Sequence, residues 1–247
     1  MSYHWNWGAF LQQPPTGESS YLEWMVSGLW MTLTLSVSAW LIALVVGLLV
    51  GILRTVPIVG LQLVARSHVE LFRNIPLMVQ LFIWYYVIPE FLPIDWGDEY
   101  KQLDPAIQRF SISVIGLGLF TSARLAEHVR AGLEALSMGQ KNAGIALGLS
   151  LPQTYRYVLM PMALRMMLPT LTSELMNIFK NSAVCSTIGV VELSYQAGAL
   201  AECQSVCVPY ESFIFITMAY LALNLLTMVL MRRVERWVWI PGFLGKH

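Results

Sequence analysis

The run Ser137–Pro161, SMGQKNAGIALGLSLPQTYRYVLMP, is polar, has helical spacing and lies between two strongly apolar stretches. Ser137 is followed three residues later by Gln140, a capping box that starts a helix. Gly148 stops that helix, because glycine takes the left-handed conformation without a steric penalty. Ser150 and Gln153 form a second capping box, and Pro152 is tolerated in a first turn. The spacing predicts a short helix, a glycine turn with its tip at Gly148–Leu149–Ser150–Leu151, and a second short helix ending before Pro161. Caps alone also fit an ordinary polar loop between membrane spans.

The chain around this run is built for a bilayer. Of its 247 residues 56% are hydrophobic and only 12% are charged, against roughly 25% charged in a soluble domain. The mean hydropathy is +0.59. Fifteen basic and 15 acidic residues cancel, which implies no nucleic-acid partner. Residues 1–25 lack Lys and Arg, so the positive start of a cleavable signal peptide is missing, while Trp5, Trp7 and Trp24 suit a membrane interface. The three cysteines match no zinc spacing. Cys203 and Cys207 are open to two readings, a disulfide outside the cytoplasm or two free thiols on one helical face.

Five apolar stretches read as spans, near 26–53, 76–92, 110–133, 162–183 and 209–231, within one transmembrane domain covering 1–247. The first would rise about 42 Å as a helix, more than the ~30 Å hydrocarbon core, and so must tilt or protrude. Its Gly47 and Gly51, four apart, allow close helix contact. Pro57–Arg73 reads as amphipathic, with Leu61, Val64, His68 and Leu71 on one face; His68 has no second metal-ligand candidate beside it. Pro93–Arg109, with Asp95, Asp98, Glu99 and Asp104, reads as a solvated acidic loop or as a docking surface. In the third span Glu127 and Arg130 lie one turn apart. Pro169 is expected to kink the fourth span, and Ser186–Val208 to hold a short, partly buried helix. Arg232, Arg233 and Arg236 close the fifth span, with Trp237 and Trp239 as anchors.

Basic residues set the orientation. Arg54, Arg66 and Arg73 follow the first span. Arg124, Arg130, Lys141, Arg156 and Arg165 surround the hairpin, and Arg232, Arg233, Arg236 and Lys246 lie in the tail. The other side holds only Lys101 and Arg109. The positive-inside rule puts the hairpin and C-terminus in the cytoplasm and the N-terminus outside, as five spans require.

The fourth span carries the most polar side chains. Thr170, Glu174, Asn177 and Asn181 recur at helical spacing as one stripe, with Ser173 and Lys180 along its edge. An acid and an amine within a span are costly against lipid and must face the bundle or a wet cavity. Two readings stay open: a lining of a translocation path, or internal pairing of Glu174 with another helix. No catalytic constellation and no Walker-type phosphate loop is visible in the sequence, and Gly116-Leu117-Gly118 reads as packing.

The spacing Asn142-Ala143-Gly144, three residues, Gly148, nine residues, Val158-Leu159-Met160-Pro161 resembles the cytoplasmic loop of ABC-importer permeases. Their pattern is Glu-Ala-Ala, three residues, Gly, nine residues, Ile-x-Leu-Pro. Asn142, Gly144, Val158 and Met160 depart from it; the register, the glycine and the proline do not. ELFRNIPL at 70–77, AEHVRAG at 126–132 and SELMNIFKNS at 173–182 resemble polar amino-acid permeases. The opening Trp5-Asn6-Trp7, the long segment after the second span and GQKNA resemble the glutamate/aspartate subgroup.

The resemblance implies an all-α integral membrane protein with five transmembrane helices and a cytoplasmic coupling hairpin, of the ABC type I importer kind, in a bacterial inner membrane. It implies that Asn142, Ala143, Gly144, Gly148, Leu149, Ser150, Leu151, Pro152 and Pro161 form a coupling loop that docks into an ATPase subunit. It further implies a second, related permease subunit as heterodimer partner, two cytoplasmic ATP-binding subunits and a periplasmic amino-acid-binding protein. No cofactor is expected on this chain, with ATP and Mg on the partners. Because the 173–182 segment is shared by permeases of differing specificity, Glu174 and Lys180 are not expected to select the substrate. The rival classes are an ion-coupled secondary carrier or channel, an ABC permease for glutamine or a basic amino acid, and a membrane assembly factor.

Overall fold

The computed structural model describes residues 3–14, 17, 19–136, 138–202 and 208–238. The Ser137 cap, Cys203 and Cys207, Trp239 and Lys246 fall outside them. The described residues form helices and connecting turns, without a strand. In chain order the helices are α1 (Tyr21–Leu53), α2 (Val59–Asn74), α3 (Leu77–Phe91), α4 (Ile94–Gln102) and α5 (Pro105–Glu134). They continue with α6 (Met138–Ala146), α7 (Leu151–Thr154), α8 (Met160–Asn181), α9 (Leu193–Ala201) and α10 (Pro209–Val238).

Among the described residues α1, α5 and α10 are long and apolar enough to cross a membrane, and a fourth span results if α2 and α3 count as one broken span. Their break falls at Ile75, which is extended at φ −95° and ψ 130°, as expected of a residue before proline. The expected fourth span coincides with α8, whose polar residues keep it below that standard. It ends at Asn181 and passes into a 3₁₀ run, Ser182–Ile188.

Pro161, expected to end a helix, and Pro89, inside the expected second span, are both carried by local widening. A π turn at Tyr155–Leu159 precedes Pro161, and another at Ile83–Val87 precedes Pro89. In each, the residue just after the turn bonds five residues back, Met160 N–H to Tyr155 O and Ile88 N–H to Ile83 O. The extra residue shifts the carbonyl ladder where a proline ring would otherwise strike it. The hairpin's second arm therefore does not end before Pro161; it runs on into α8. Pro169 likewise lies inside continuous helix.

The chain forms two compact units. One gathers the chain up to Ala39 with Pro76–Leu117 and Asn177–Leu225. Its core joins Phe10, Tyr21, Met25, Leu193, Leu200 and Val208. The expected short buried helix is α9, and Glu192 caps it through a 2.8 Å bond from the Tyr195 N–H. Thr32 and Tyr220 hydroxyls reach the other oxygen of Glu192 at 3.2 and 2.9 Å. Gly189, at φ +84°, ends the 3₁₀ run in a left-handed turn. The 94–102 segment is the helix α4 rather than a loop, and Asp104 starts α5 by accepting the Ala106 N–H at 2.7 Å.

The other unit gathers Trp40–Ile75, Gly118–Met176 and the chain from Leu226. Leu125, Val129 and Leu133 on α5 meet Ala163, Met167 and Leu171 on α8, each row at four-residue spacing. Gly47 and Gly51 bring α1 against α5 as their spacing suggests. A Cβ on Gly47 would stand 2.7 Å from Leu125 Cδ2, and one on Gly51 would overlap Val129 and sit 2.9 Å from the Ala126 carbonyl. The buried face of α2 is carried by Ala65 and Val69, whereas Leu61, Val64 and Leu71 are exposed. The large apolar face read from the sequence thus points outward, and the small residues allow close packing. His68 bonds Ser122 Oγ at 2.9 Å.

Candidate functional site

The hairpin closes by backbone chemistry. Leu149 N–H reaches back to Gly144 O at 3.2 Å and Gly148 N–H to Ile145 O at 2.9 Å, the double bond pattern of a Schellman C-cap. Gly148 sits at φ +78°, and a Cβ added to it would touch nothing within 4 Å. Its requirement is therefore conformational, not spatial. The next cap follows at once, with Ser150 N–H donating to Gln153 Oε1 at 2.8 Å.

Gly144 plays a different part. It is buried, and a Cβ there would stand 2.8 Å from Thr154 Cγ2. The two arms are held together by this contact, which an alanine at 144 would crowd. Asn142, Ala143, Ser150 and Pro152 are exposed, Pro161 is exposed, and Leu149 and Leu151 are half-buried. Sequence reasoning passed over Ile145, Leu147 and Tyr157, which are 50%, 80% and 62% exposed. Apolar side chains in a polar, capped hairpin were the available signal for them.

The polar stripe on α8 does not form one uniform face. Glu174 is buried, Asn177 and Asn181 are half-buried, and Thr170, Ser173 and Lys180 are exposed. Thr170 Oγ1 donates to Met167 O at 2.7 Å and Ser173 Oγ to Pro169 O at 3.2 Å, so both hydroxyls are satisfied within the helix. Glu174 Oε1 pairs with Arg124 Nη2 at 3.0 Å and His128 Nε2 at 3.3 Å. The interhelical partner is thus present, and Arg124 and His128 are its residues on α5. Their four-residue spacing within a span was the signal that could have found them.

These groups line a cavity of about 210 Å³ together with Arg73 and Glu127. Glu127 is itself held by Arg54, by Arg130 at 3.1 Å and by Arg73 at 3.6 Å. Its charge is spent on three arginines. Arg73 and Arg124 keep side-chain exposures of 59% and 36%, so both retain donors for a further partner. Glu174 Oε2 is buried and meets no donor among the described residues. The cavity lining therefore combines several cationic donors with one carboxylate whose second oxygen is buried and unpaired among the described residues. That set complements a small molecule carrying carboxylates and one ammonium group.

A sequence profile for the family described as the binding-protein-dependent transport system inner membrane component matches residues 43–240. The chain belongs to this family. The permease is 52% identical over 246 residues to the glutamate/aspartate import permease protein GltJ of Escherichia coli (strain K12), covering 99% of each chain. It is 32% identical over 212 residues to the glutamine transport system permease protein GlnP of the same organism, covering 86% of this chain and 91% of GlnP. Among solved structures, an amino acid ABC transporter crystallised with histidines superposes with a TM-score of 0.72 at 32% identity, over 87% of this permease and 94% of that chain. The MetNI methionine ABC transporter in an inward-facing form gives the same TM-score of 0.72 at 22% identity, over 89% and 98%, and shares the fold. The permease is an all-helical inner-membrane component with the fold of these importers.

Proposed function

We propose that this chain is a permease subunit of an ATP-driven importer that carries glutamate or aspartate from periplasm to cytoplasm. The observation that carries the substrate class is the 210 Å³ cavity, where Arg73, Arg124 and His128 share the lining with Glu174, one of whose oxygens meets no donor among the described residues. An acidic amino acid has two carboxylates for the cations and one ammonium for that oxygen. The 52% identity to GltJ supports the same substrate. In this reading the 1–247 chain is one permease domain with five spans, its N-terminus periplasmic and its C-terminus cytoplasmic. The exposed polar edge of α8, at Thr170, Ser173 and Lys180, faces a second permease subunit across a wet path, because the Lys180 ammonium is costly against lipid.

The hairpin 137–161 is proposed as the element that docks on one of two cytoplasmic ATP-binding subunits, with Ile145, Leu147 and Tyr157 as its apolar contacts. ATP and Mg belong to those subunits, and a periplasmic binding protein delivers the amino acid. Closure of the ATPase pair then rocks the permeases between inward and outward access. The test is uptake of labelled glutamate, aspartate, glutamine and arginine by cells with and without this chain. Glutamate and aspartate uptake is expected to require it. Import of arginine but not glutamate through this chain would overturn the substrate assignment.

A further inference from the structure

We propose that a second cavity, beside the hairpin's second arm, holds an acyl chain of an anionic phospholipid of the cytoplasmic leaflet, with Arg156 on the lipid phosphate. The cavity has a volume of about 540 Å³, within the range of small-molecule sites. Ile52 near the end of α1 and Val56 just beyond it form one wall, and Leu151, Tyr155 and Met160 form the other. The Tyr155 hydroxyl is engaged with Thr55 Oγ1 at 3.0 Å, so that wall presents hydrocarbon. An apolar hollow of this kind is poorly served by water, which needs two or more polar partners. Hydrocarbon is the filler a bilayer supplies.

Position and charge select the kind of lipid. No charged residue occurs in α1 between Trp24 and Leu53, and Arg54 follows at once. The cavity therefore lies where the most apolar span gives way to charge, at headgroup level. Arg156 stands at its rim, exposed, with its guanidinium 5.5 Å from the Tyr157 ring centroid. No carboxylate among the described residues lies within ion-pair distance of it. An unpaired arginine over an apolar slot at the interface fits a phosphate attached to an acyl chain. The lipid would brace the arm that leads from the hairpin tip into α8, so occupancy is expected to favour coupling. The inference rests on the cytoplasmic placement of the hairpin proposed above.

The experiment uses the assembled transporter in vesicles of phosphatidylcholine, with or without phosphatidylglycerol, and native mass spectrometry after extraction. The wild type is expected to retain one phosphatidylglycerol per permease that Val56→Trp, which fills the slot, loses. Arg156→Gln is expected to lose the preference for phosphatidylglycerol over phosphatidylcholine. Amino-acid-stimulated ATP hydrolysis should rise with phosphatidylglycerol in the wild type and stay flat in Arg156→Gln. Equal phosphatidylglycerol retention by all three proteins would overturn the proposal. So would efficient cross-linking of Met160→Cys to the ATPase subunit, which would make a protein side chain the occupant. Absence of glutamate uptake in every lipid would count against the transport reading alone, because lipid retention is measured independently of it.

Discussion

Arg124 of α5 places a guanidinium nitrogen 3.0 Å from Oε1 of Glu174 on α8, and both side chains open onto one cavity. Glu174 is 6% exposed and Arg124 36% exposed at the side chain. Breaking a fully buried pair by removing one partner costs about 3–5 kcal/mol. Arg124 keeps access to water, so Glu174→Gln or Arg124→Gln is expected to cost less, about 1–3 kcal/mol. Each single variant should accumulate poorly in membranes, and the double variant should recover. Uptake should not recover with it, because the double variant lacks both the cation and the ammonium acceptor. A lost charge-assisted contact of about 1.5–3 kcal/mol corresponds to roughly 10- to 100-fold in affinity. Quantified membrane abundance beside initial uptake rates separates the two effects. A double variant with normal uptake would make the pair purely structural.

The α1–α5 contact gives a prediction of a different kind. A Cβ on Gly51 overlaps Val129, and α5 backbone lies 2.9 Å away. Gly51→Ala is therefore expected to destabilise by about 1–3 kcal/mol despite the better helix propensity of alanine. Adding Val129→Ala should restore only a small part of this, since it removes Cγ1 at 2.6 Å but leaves the overlap with the Val129 Cβ and the Ala126 carbonyl at 2.9 Å. Gly60→Ala is the control, because its Cβ meets nothing within 4 Å. Thermal unfolding midpoints in detergent check the order. A Gly51→Ala midpoint equal to that of Gly60→Ala would contradict the close approach.

What was legible in the sequence follows the range of the interaction. The Gly148 turn and the Ser150–Gln153 cap depend on residues within five positions, and both appear as read. The Gly47 and Gly51 seats were legible because small residues four apart have few other uses in a span. The pairing of Glu174 was not, since Arg124 lies 50 positions away; the Arg124–His128 spacing marks two polar side chains on one face of a span without saying which carboxylate they meet. The α2 stretch was legible as amphipathic, but hydropathy marks an apolar surface without saying whether lipid or protein covers it: Leu61, Val64 and Leu71 are exposed, and Ala65 and Val69 are the buried pair. Pro161 was taken as a stop because a π turn leaves no trace in residue type.

Topology is checked by fusion. A reporter active only outside the cytoplasm should give signal at Asp98, in the α4 segment, and none at Gln140, in the hairpin. The basis is the basic asymmetry, with Lys101 and Arg109 alone on one side against the arginines around the hairpin and tail. Reversal of the two signals would invert the proposed orientation and remove the hairpin from the ATPase side.

The hairpin tip offers the sharpest separation of structure from coupling. Gly148 has φ +78° with empty space where a Cβ would stand, so a substitution there meets a backbone penalty and no clash. For a β-branched residue the left-handed conformation costs about 1–2 kcal/mol or more, whereas asparagine tolerates it. Gly148→Val should therefore distort the turn that Leu149 and Gly148 close onto Gly144 and Ile145, while the spans still insert. Gly148→Asn should keep the turn. Gly144→Ala acts through space instead, pressing on Thr154 Cγ2 at 2.8 Å, and Thr154→Ser should relieve it by removing that methyl. Asn142→Ala should be milder than either, because Asn142 is exposed and its loss leaves the caps intact. The measurements are ATPase co-purification and substrate-stimulated hydrolysis in reconstituted membranes. The expected order is wild type, close to Gly148→Asn and Asn142→Ala, then Gly144→Ala, then Gly148→Val. Wild-type assembly, hydrolysis and uptake in Gly148→Val would show that this turn does not carry the coupling.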